Sequence, residues 1–255
     1  MTWLHAVIFG VVEGLTEFLP VSSTGHLILT AKLLGLAETD FMKSFQICIQ
    51  LGAILAVVLV YGRKVLGDLA VSARVLTALF PTLVAGFLLY KTVRQLFSDP
   101  LVILWGLALG GLALILFDLW HKEGPEAIEG TANIPYPKCF WIGAAQSMAI
   151  VPGISRAGAT ILGGLALGLK RKTVVEFSFL LAVPTILAAT ALDLLKHGAA
   201  FTNSEWLLVL LGGTVSCIVA FAVIRFFIRF VQNKGFMVFG IYRIVLAAIL
   251  WMTLK

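Results

Sequence analysis

The sequence predicts an all-α integral membrane protein with about six transmembrane helices and two re-entrant helical hairpins in inverted-topology repeats. Three observations carry that prediction. Of 255 residues, 60% are hydrophobic and only 13% are charged, against about 25% charged in a soluble domain. The apolar residues gather into runs long enough to cross a bilayer, which takes about 20 residues. Two further apolar regions are each interrupted by a short polar segment containing proline and glycine.

Composition narrows the class. Too few polar side chains remain to cover a water-facing surface, and the mean hydropathy is +1.02. A net charge of +6 admits a nucleic-acid partner. The basic residues, however, sit in short loops between apolar runs, as expected for cytoplasmic loops of a membrane protein. Membrane lipid is therefore the expected surrounding, and no nucleic acid. Cys48, Cys139 and Cys217 show no CxxC spacing and read as small apolar fillers. The first ten residues lack a basic n-region and an A-x-A cleavage site, so no removable signal peptide is expected.

Taken in order, the first region is 3–36, broken at Pro20 and the run Val21-Ser22-Ser23-Thr24-Gly25-His26. Full spans are expected at 41–61, at 75–90 (with a start as early as Leu66) and at 101–120. The stretch 121–138 is the sizeable polar connection, with Lys122, Glu123, Glu126, Glu129, Pro135 and Pro137. The second broken region is 140–169, interrupted at Pro152-Gly153-Ile154-Ser155-Arg156-Ala157-Gly158. Spans follow at 174–195, 206–230 and 236–254. Each half of a broken region is short for a span, which points to a re-entrant hairpin. Non-helical backbone at membrane depth is tolerated only where protein or a water-filled cavity satisfies it.

The chain reads as one membrane domain, 1–255, made of repeats at approximately 1–122 and 138–255 joined by the polar loop. Gly10-Val11-Val12-Glu13 matches Gly143-Ala144-Ala145-Gln146. Pro20 and Ser23 match Pro152 and Ser155. Leu34-Gly35-Leu36 matches Leu167-Gly168-Leu169, and Ile54-Leu55-Ala56 matches Ile186-Leu187-Ala188. The offset stays at 132 or 133 residues. A hairpin plus three spans in each half inverts the second half relative to the first.

Orientation follows from the basic residues. Arg63, Lys64, Arg74, Lys122, Lys138, Lys170, Arg171, Lys172, Arg225, Arg229 and Lys234 fall on one side. Lys32, Lys43, Lys91, Arg94, Lys196 and Lys255 fall on the other. The richer side is expected in the cytoplasm, so the first hairpin enters from outside.

The first constellation that carries chemistry is Glu13-x3-Glu17, then Ser22-Ser23-Thr24-Gly25-His26. Glutamates four apart share a helix face. Two carboxylates in an apolar setting call for a cation between them or a shared proton. Three hydroxyls at a turn opening a helix suit an anion. His26 lies three residues after Ser23, and such a pair can activate the oxygen as a nucleophile. The plainer alternatives are a solvated helix end for the glutamates and an N-cap for the hydroxyls.

The second constellation is Ser155-Arg156-Ala157-Gly158-Ala159-Thr160. The planar fork of Arg156 suits bidentate contact with phosphate or carboxylate; its plainer role is a salt bridge to Glu13, Glu17 or Glu176. Gln46, Gln50, Gln146, Glu176 and Ser178 read first as helix–helix hydrogen-bond partners. Tyr242 and Arg243 read as interfacial anchors, Asp118 and Asp193 as solvated span ends, and His5, His121 and His197 as peripheral. The inventory suits phosphoryl transfer and leaves acyl transfer and anion transport open.

The run Glu13-Gly14-Leu15-Thr16-Glu17-Phe18-Leu19-Pro20-Val21-Ser22-Ser23-Thr24-Gly25-His26 resembles the signature of the bacterial undecaprenyl-diphosphatases, also called bacitracin-resistance proteins. Pro152-Gly153-Ile154-Ser155-Arg156-Ala157-Gly158-Ala159-Thr160 is similar to that family's second motif, and Glu176-Phe177-Ser178-Phe179-Leu180-Leu181-Ala182-Val183-Pro184 to a third stretch. The resemblance covers nearly the whole chain. It implies a phosphatase that converts undecaprenyl diphosphate to undecaprenyl phosphate and recycles the carrier of cell-wall synthesis. It implies the bacterial cytoplasmic (inner) membrane, six spans and two hairpins, and a polyprenyl diphosphate substrate. It also implies a divalent cation, Mg2+ or Ca2+, on Glu13 and Glu17. By motif, Ser23 and His26 fall on the nucleophile and acid/base and Arg156 on the phosphate-binding arginine. Ser22, Thr24, Gly25, Gln50, Gln146, Ser155, Gly158 and Thr160 are the expected substrate-binding set. A homodimer is an assembly it allows. The family commonly reads Ser-Arg-Ser where this chain has Ser155-Arg156-Ala157, which removes one hydroxyl from the phosphate's surroundings.

The expected mechanism has Ser23 attacking the terminal phosphorus in a site facing the outer side, with His26 moving the proton. His26 or water as attacking group remains open, and a lipid-phosphate flippase or secondary transporter is the rival function.

Overall fold

The computed structural model describes residues 1–37, 39–89, 96 and 99–254. Among them the regular elements are helices, and β pairing is limited to an isolated bridge between Ile128 and Leu169. In chain order these are α1 (Trp3–Thr16), α2 (Ser23–Leu33), α3 (Asp40–Gly67), α4 (Leu69–Leu88), α5 (Pro100–Trp120), α6 (Tyr136–Ser147), α7 (Arg156–Ala166), α8 (Arg171–His197), α9 (Asn203–Lys234) and α10 (Met237–Leu254).

Local chemistry marks several starts. Thr39 accepts from Met42 N ahead of α3. Asp68 accepts from the amides of Ala70 and Val71 ahead of α4. Asp99 does the same for Leu101 N, with Pro100 at the first position of α5. Thr202 and Glu205 form a capping box for α9. Each satisfies amides that the helix itself leaves without partners.

Among the described residues, five stretches are long and apolar enough to cross a membrane: Asp40–Gly62, Leu69–Leu88, Pro100–Trp120, Arg171–Ala200 and Asn203–Gln232. They overlap the first five expected spans. The sixth, 236–254, corresponds to α10, of which Met237–Met252 is a shorter apolar helix. Of the residues used for orientation, Lys91, Arg94 and Lys255 lie outside the described residues, as do the side chains of Arg63 and Lys64.

Both expected interruptions are breaks between short helices. α1 ends at Thr16 and α2 begins at Ser23; α6 ends at Ser147 and α7 begins at Arg156. Ser22 and Ser155, immediately before the second helix of each pair, have φ of 67° and 74°. A left-handed conformation at a non-glycine residue costs about 1–3 kcal/mol and concentrates at functional sites. By backbone conformation Ser22 pairs with Ser155, one residue away from the sequence match of Ser23 with Ser155. Gly35 and Gly168, φ 64° and 81°, are likewise equivalent.

The packing has a matching symmetry. α1 lies against α9 as α6 lies against α4, while α3 faces α8 and α5 faces α10. Close approach depends on glycine: a methyl at Gly10 or Gly14 would meet the backbone of α9, and one at Gly143 the backbone of α4.

Asp118 corrects an expectation. Its side chain is 11% exposed and bonds Arg171 at 3.1 Å. Its other oxygen accepts from the amides of Phe236 and Met237, each at 3.1 Å. It thus ties the end of α5 to the starts of α8 and α10 rather than resting in solvent. The loop 121–138 is also held down. Ile128 pairs with the strand-like backbone at Gly168 and Lys170, Glu129 bonds Lys170 at 2.6 Å, and Arg74 Nε donates to Ile134 O at 2.7 Å.

Candidate active site

The two helix breaks meet at a cavity of about 590 Å³. Glu17, Ser22, Ser23 and Thr24 come to it from the first break, and Pro152, Gly153, Ser155 and Arg156 from the second. Gln46 and Gln50 join from α3. Its apolar lining includes Leu27, Ile28, Met42, Ile47, Ile186 and Leu192. Asp40, Lys43, Lys196 and His197 stand where α3 begins and α8 ends.

Glu17 joins polar groups of both breaks and is 8% exposed. Its Oε2 accepts from Ser23 Oγ at 2.6 Å. Its Oε1 accepts from Arg156 Nη2 at 3.0 Å. The guanidinium is steadied on its other side, where Nη1 donates to Ser178 O at 2.9 Å, and it lies 5.9 Å from the Phe18 ring centroid. Short charge-assisted bonds of this kind are about twice as strong as neutral ones. The salt bridge foreseen as the plain role of Arg156 therefore exists, and it lines the cavity. One Arg156 nitrogen, Nε, is buried without a hydrogen-bond partner among the described residues.

Glu13 lies one turn earlier, where Glu17 N donates to Glu13 O at 2.9 Å. It is 0% exposed, so the solvated-helix-end alternative fails. Neither of its carboxylate oxygens finds a hydrogen-bond partner among the described residues, and Glu17 and Arg156 are its charged neighbours. A buried anion in that state calls for a cation or a proton. No group of three or more His, Cys, Asp or Glu side chains among the described residues is arranged to hold a metal. A hard cation at a phosphate site commonly takes one or two carboxylates and completes its shell with water and phosphate oxygens. Glu17 lines the cavity, and Glu13, buried beside it outside the lining, is the second carboxylate that such a cation could take.

His26 is not where the Ser–His pairing put it. It sits on α2 with Nδ1 2.8 Å from Ser22 O and Nε2 2.7 Å from Tyr242 OH. A carbonyl only accepts, so Nδ1 carries a proton. Both ring nitrogens are occupied, the ring lies nearly parallel to that of Tyr242, and the cavity wall does not include it. The proton of Ser23 faces Glu17 instead.

The expected substrate-binding set divides. Ser22, Thr24, Gln50 and Ser155 line the cavity. Gly25 packs on Leu107, and Gly158 faces Arg243 while its amide donates to Ser155 Oγ at 3.2 Å. Gln146 is 1% exposed. Its Nε2 donates to Thr82 and Thr185 hydroxyls at 3.0 and 3.2 Å, and its Oε1 accepts from Thr160 at 3.2 Å. Gln146 and Thr160 thus form an interhelical network behind the site. Ala157, at the position where the resemblance implies serine, is 1% exposed, belongs to the apolar core and does not line the cavity.

Arg243 is the residue that sequence reasoning misplaced. It is 1% exposed, not interfacial, and its guanidinium bonds backbone of both breaks. Its neighbour Tyr242 stays exposed, as the anchor reading has it, while its hydroxyl meets His26 Nε2 at 2.7 Å. The signal was present: an arginine inside an apolar run, without a flanking loop to explain it.

A family described as "Bacitracin resistance protein BacA" matches residues 6–249. The chain is 50% identical over 252 residues to a protein of Sulfurihydrogenibium sp. (strain YO3AOP1), covering 99% of each. It is 46% identical over 250 residues to one of Aquifex aeolicus (strain VF5), covering 98% of this chain and 97% of the other. It is 44% identical over 254 residues to one of Campylobacter fetus subsp. fetus (strain 82-40), covering 98% of each. All three carry the name undecaprenyl-diphosphatase.

Proposed function

The chain belongs to the bacitracin-resistance family BacA and hydrolyses undecaprenyl diphosphate, and from that premise we propose how its own residues carry the reaction. The observation that bears most weight is the sharing of one carboxylate, Glu17, by Ser23 and Arg156 on the wall of a half-apolar cavity.

The topology we adopt has six spans, with α10 as the sixth, and two re-entrant hairpins, α1–α2 and α6–α7. The matched packing of α1 on α9 and α6 on α4 supports inverted repeats. The basic-residue bias then sets the cavity mouth, at the start of α3 and the end of α8, on the outer side of the bacterial inner membrane.

The polyprenyl chain lies along the apolar lining at Leu27, Ile28 and Ile186. The diphosphate occupies the polar lining, where Arg156 transfers hydrogen bonds from Glu17 to phosphate oxygens and the amides opening α2 face the anion. Ser22 leaves those amides without a side-chain cap. Glu13 and Glu17 would hold the divalent cation, magnesium or calcium, which when bound offsets phosphate charge.

Ser23 Oγ attacks the terminal phosphorus as its proton passes to Glu17. The bond from that phosphorus to the bridging oxygen breaks, and undecaprenyl phosphate leaves with the bridging oxygen. Water then attacks the phosphoserine, inorganic phosphate departs, and Glu17 returns the proton to Ser23. His26 holds the Ser22 turn and takes no part in the proton transfer; that revises the assignment expected from the motif.

The test uses purified protein in detergent with a soluble short-chain prenyl diphosphate and magnesium or calcium. Phosphate release, lost in Arg156→Ala, needs no second compartment and so separates hydrolysis from transport. Rapid quenching followed by peptide mapping should place a labile phosphate on Ser23. A phosphate on His26 would replace this mechanism with an imidazole attack.

A further inference from the structure

Arg243 stands behind the two helix breaks, on α10, and does not line the cavity. Its Nη1 donates to Pro20 O at 3.2 Å, and its Nη2 to Gly153 O at 2.8 Å. Nη2 also donates to Gly106 O at 2.9 Å, and Nε to Leu107 O at 3.3 Å, both on α5. One guanidinium therefore joins the turn of the first hairpin, the turn of the second and a fixed helix between them. Pro20 lies two residues before Ser22, and Gly153 two before Ser155.

The chain makes room for this group. A methyl at Gly110 would run into Nη2, and one at Gly158 would come within 3.1 Å of Nη1. Gly153 (φ +93°) and Gly106 approach so closely that neither admits a side chain.

Stability alone is a poor account of such a residue. Desolvating a charge costs several kcal/mol, and well-packed apolar residues often replace buried ions at no loss. α5 and α10 already meet through Gly111 and Gly240, each of whose added methyls would strike the other's backbone. What an apolar side chain cannot do is bond carbonyls. Turn carbonyls at membrane depth need donors that neither helix supplies, and the five-donor fork reaches several at once.

We infer that Arg243 is a positioning residue for phosphoryl transfer: it fixes the distance between the two hairpin turns, and through them the placement of Ser23 relative to Arg156. This inference rests on the proposed function. Its cause is geometric, so charge alone does not replace it. A lysine keeps the charge but offers one nitrogen where the arginine uses three.

The experiment compares Arg243→Lys and Gly110→Ala with the parent protein. Gly110→Ala keeps Arg243 but displaces its guanidinium. Each variant is purified in detergent as a monodisperse fraction and its thermal unfolding recorded. kcat and KM for a soluble short-chain prenyl diphosphate are then measured per folded molecule. Misplacing reacting groups by about 1 Å costs up to about 100-fold in rate. Both variants are therefore expected to lose about 30- to 100-fold in kcat, with KM within about threefold. Parent kcat in either folded variant overturns the inference. So does failure of both variants to fold, which would assign Arg243 to the fold itself. A parent protein that releases no phosphate fails the underlying function instead, and is read before either variant.

Discussion

Ser23 and Arg156 occupy the same place in their hairpins, each the first helical residue after a serine with positive φ, and they bond the two oxygens of one carboxylate. Glu17 accepts from Ser23 at 2.6 Å and from Arg156 at 3.0 Å. A repeated backbone device thus carries a hydroxyl in one half and a guanidinium in the other, and the single carboxylate of Glu17 meets both.

Glu17 as the base predicts the effect of Glu17→Gln. The amide still accepts one bond but takes no proton, and general-base catalysis is worth about 100- to 10,000-fold. kcat for phosphate release should fall within that range while the protein unfolds near the parent temperature. A Glu17→Gln enzyme with more than a tenth of parent kcat would move the base elsewhere.

Arg156→Lys should be nearly as damaging as Arg156→Ala. Lysine keeps a positive charge but cannot span Ser178 O and Glu17 Oε1 as the guanidinium does. Removing one such charge-stabilising donor costs about 100- to 1,000-fold in kcat. Steady-state kinetics in detergent measure it, and near-parent turnover in the lysine variant would reduce Arg156 to a point charge.

Much of this was legible in the sequence, for identifiable reasons. Both breaks were visible because prolines, glycines and hydroxyl residues interrupt apolar runs, and that contrast survives any packing. Glu13, Glu17, Ser23 and Arg156 stood out as polar groups where lipid penalises them. His26 and Arg243 were misread because their partners lie far along the chain: 216 residues separate His26 from Tyr242. Gln146 looked like Glu13 by its place in the repeat, yet its neighbours Thr82 and Thr185 absorb its hydrogen bonds. Spacing along a helix reveals a face, not what stands opposite it.

Ala157→Ser restores the hydroxyl common in the family and should not raise activity. The side chain is buried at 1% exposure among apolar neighbours. A hydroxyl without a good partner there costs about 1–3 kcal/mol. The melting temperature should fall while kcat per folded molecule stays within about twofold. A clear gain in kcat would mean that residue 157 turns toward the phosphate when substrate binds.

The exposed pair Glu129–Lys170, at 2.6 Å, gives a pH-dependent signature. Lys170 donates a hydrogen bond to Glu129 and holds its carboxyl below the usual range, and the carboxylate raises the Lys170 ammonium. The Glu129 contribution is present above its unfolded value, about 4.3, and fades as pH falls through the lower folded value. The Lys170 contribution is present below about 10.4 and fades as pH rises through the higher folded value. The small melting difference between parent and Glu129→Gln should stay level from about pH 5 to 9 and shrink in acid. A difference that persists at pH 2 would come from something other than this pair.

Gln146→Leu separates the network behind the site from the site itself. The glutamine bonds Thr82, Thr160 and Thr185 on three other helices and does not reach the cavity. Interhelical hydrogen bonds in membranes average about 0.6 kcal/mol and reach about 2. Losing three, with three hydroxyls left to rebond locally, should cost about 1–3 kcal/mol. Thr160 and Thr185 already bond the carbonyls of Arg156 and Leu181 on their own helices, so each keeps an acceptor, and the cost should lie at the lower end. Thermal unfolding in detergent should report that loss, with kcat and KM of the folded fraction within about threefold of the parent. A large rise in KM without loss of stability would restore Gln146 to the substrate-binding set.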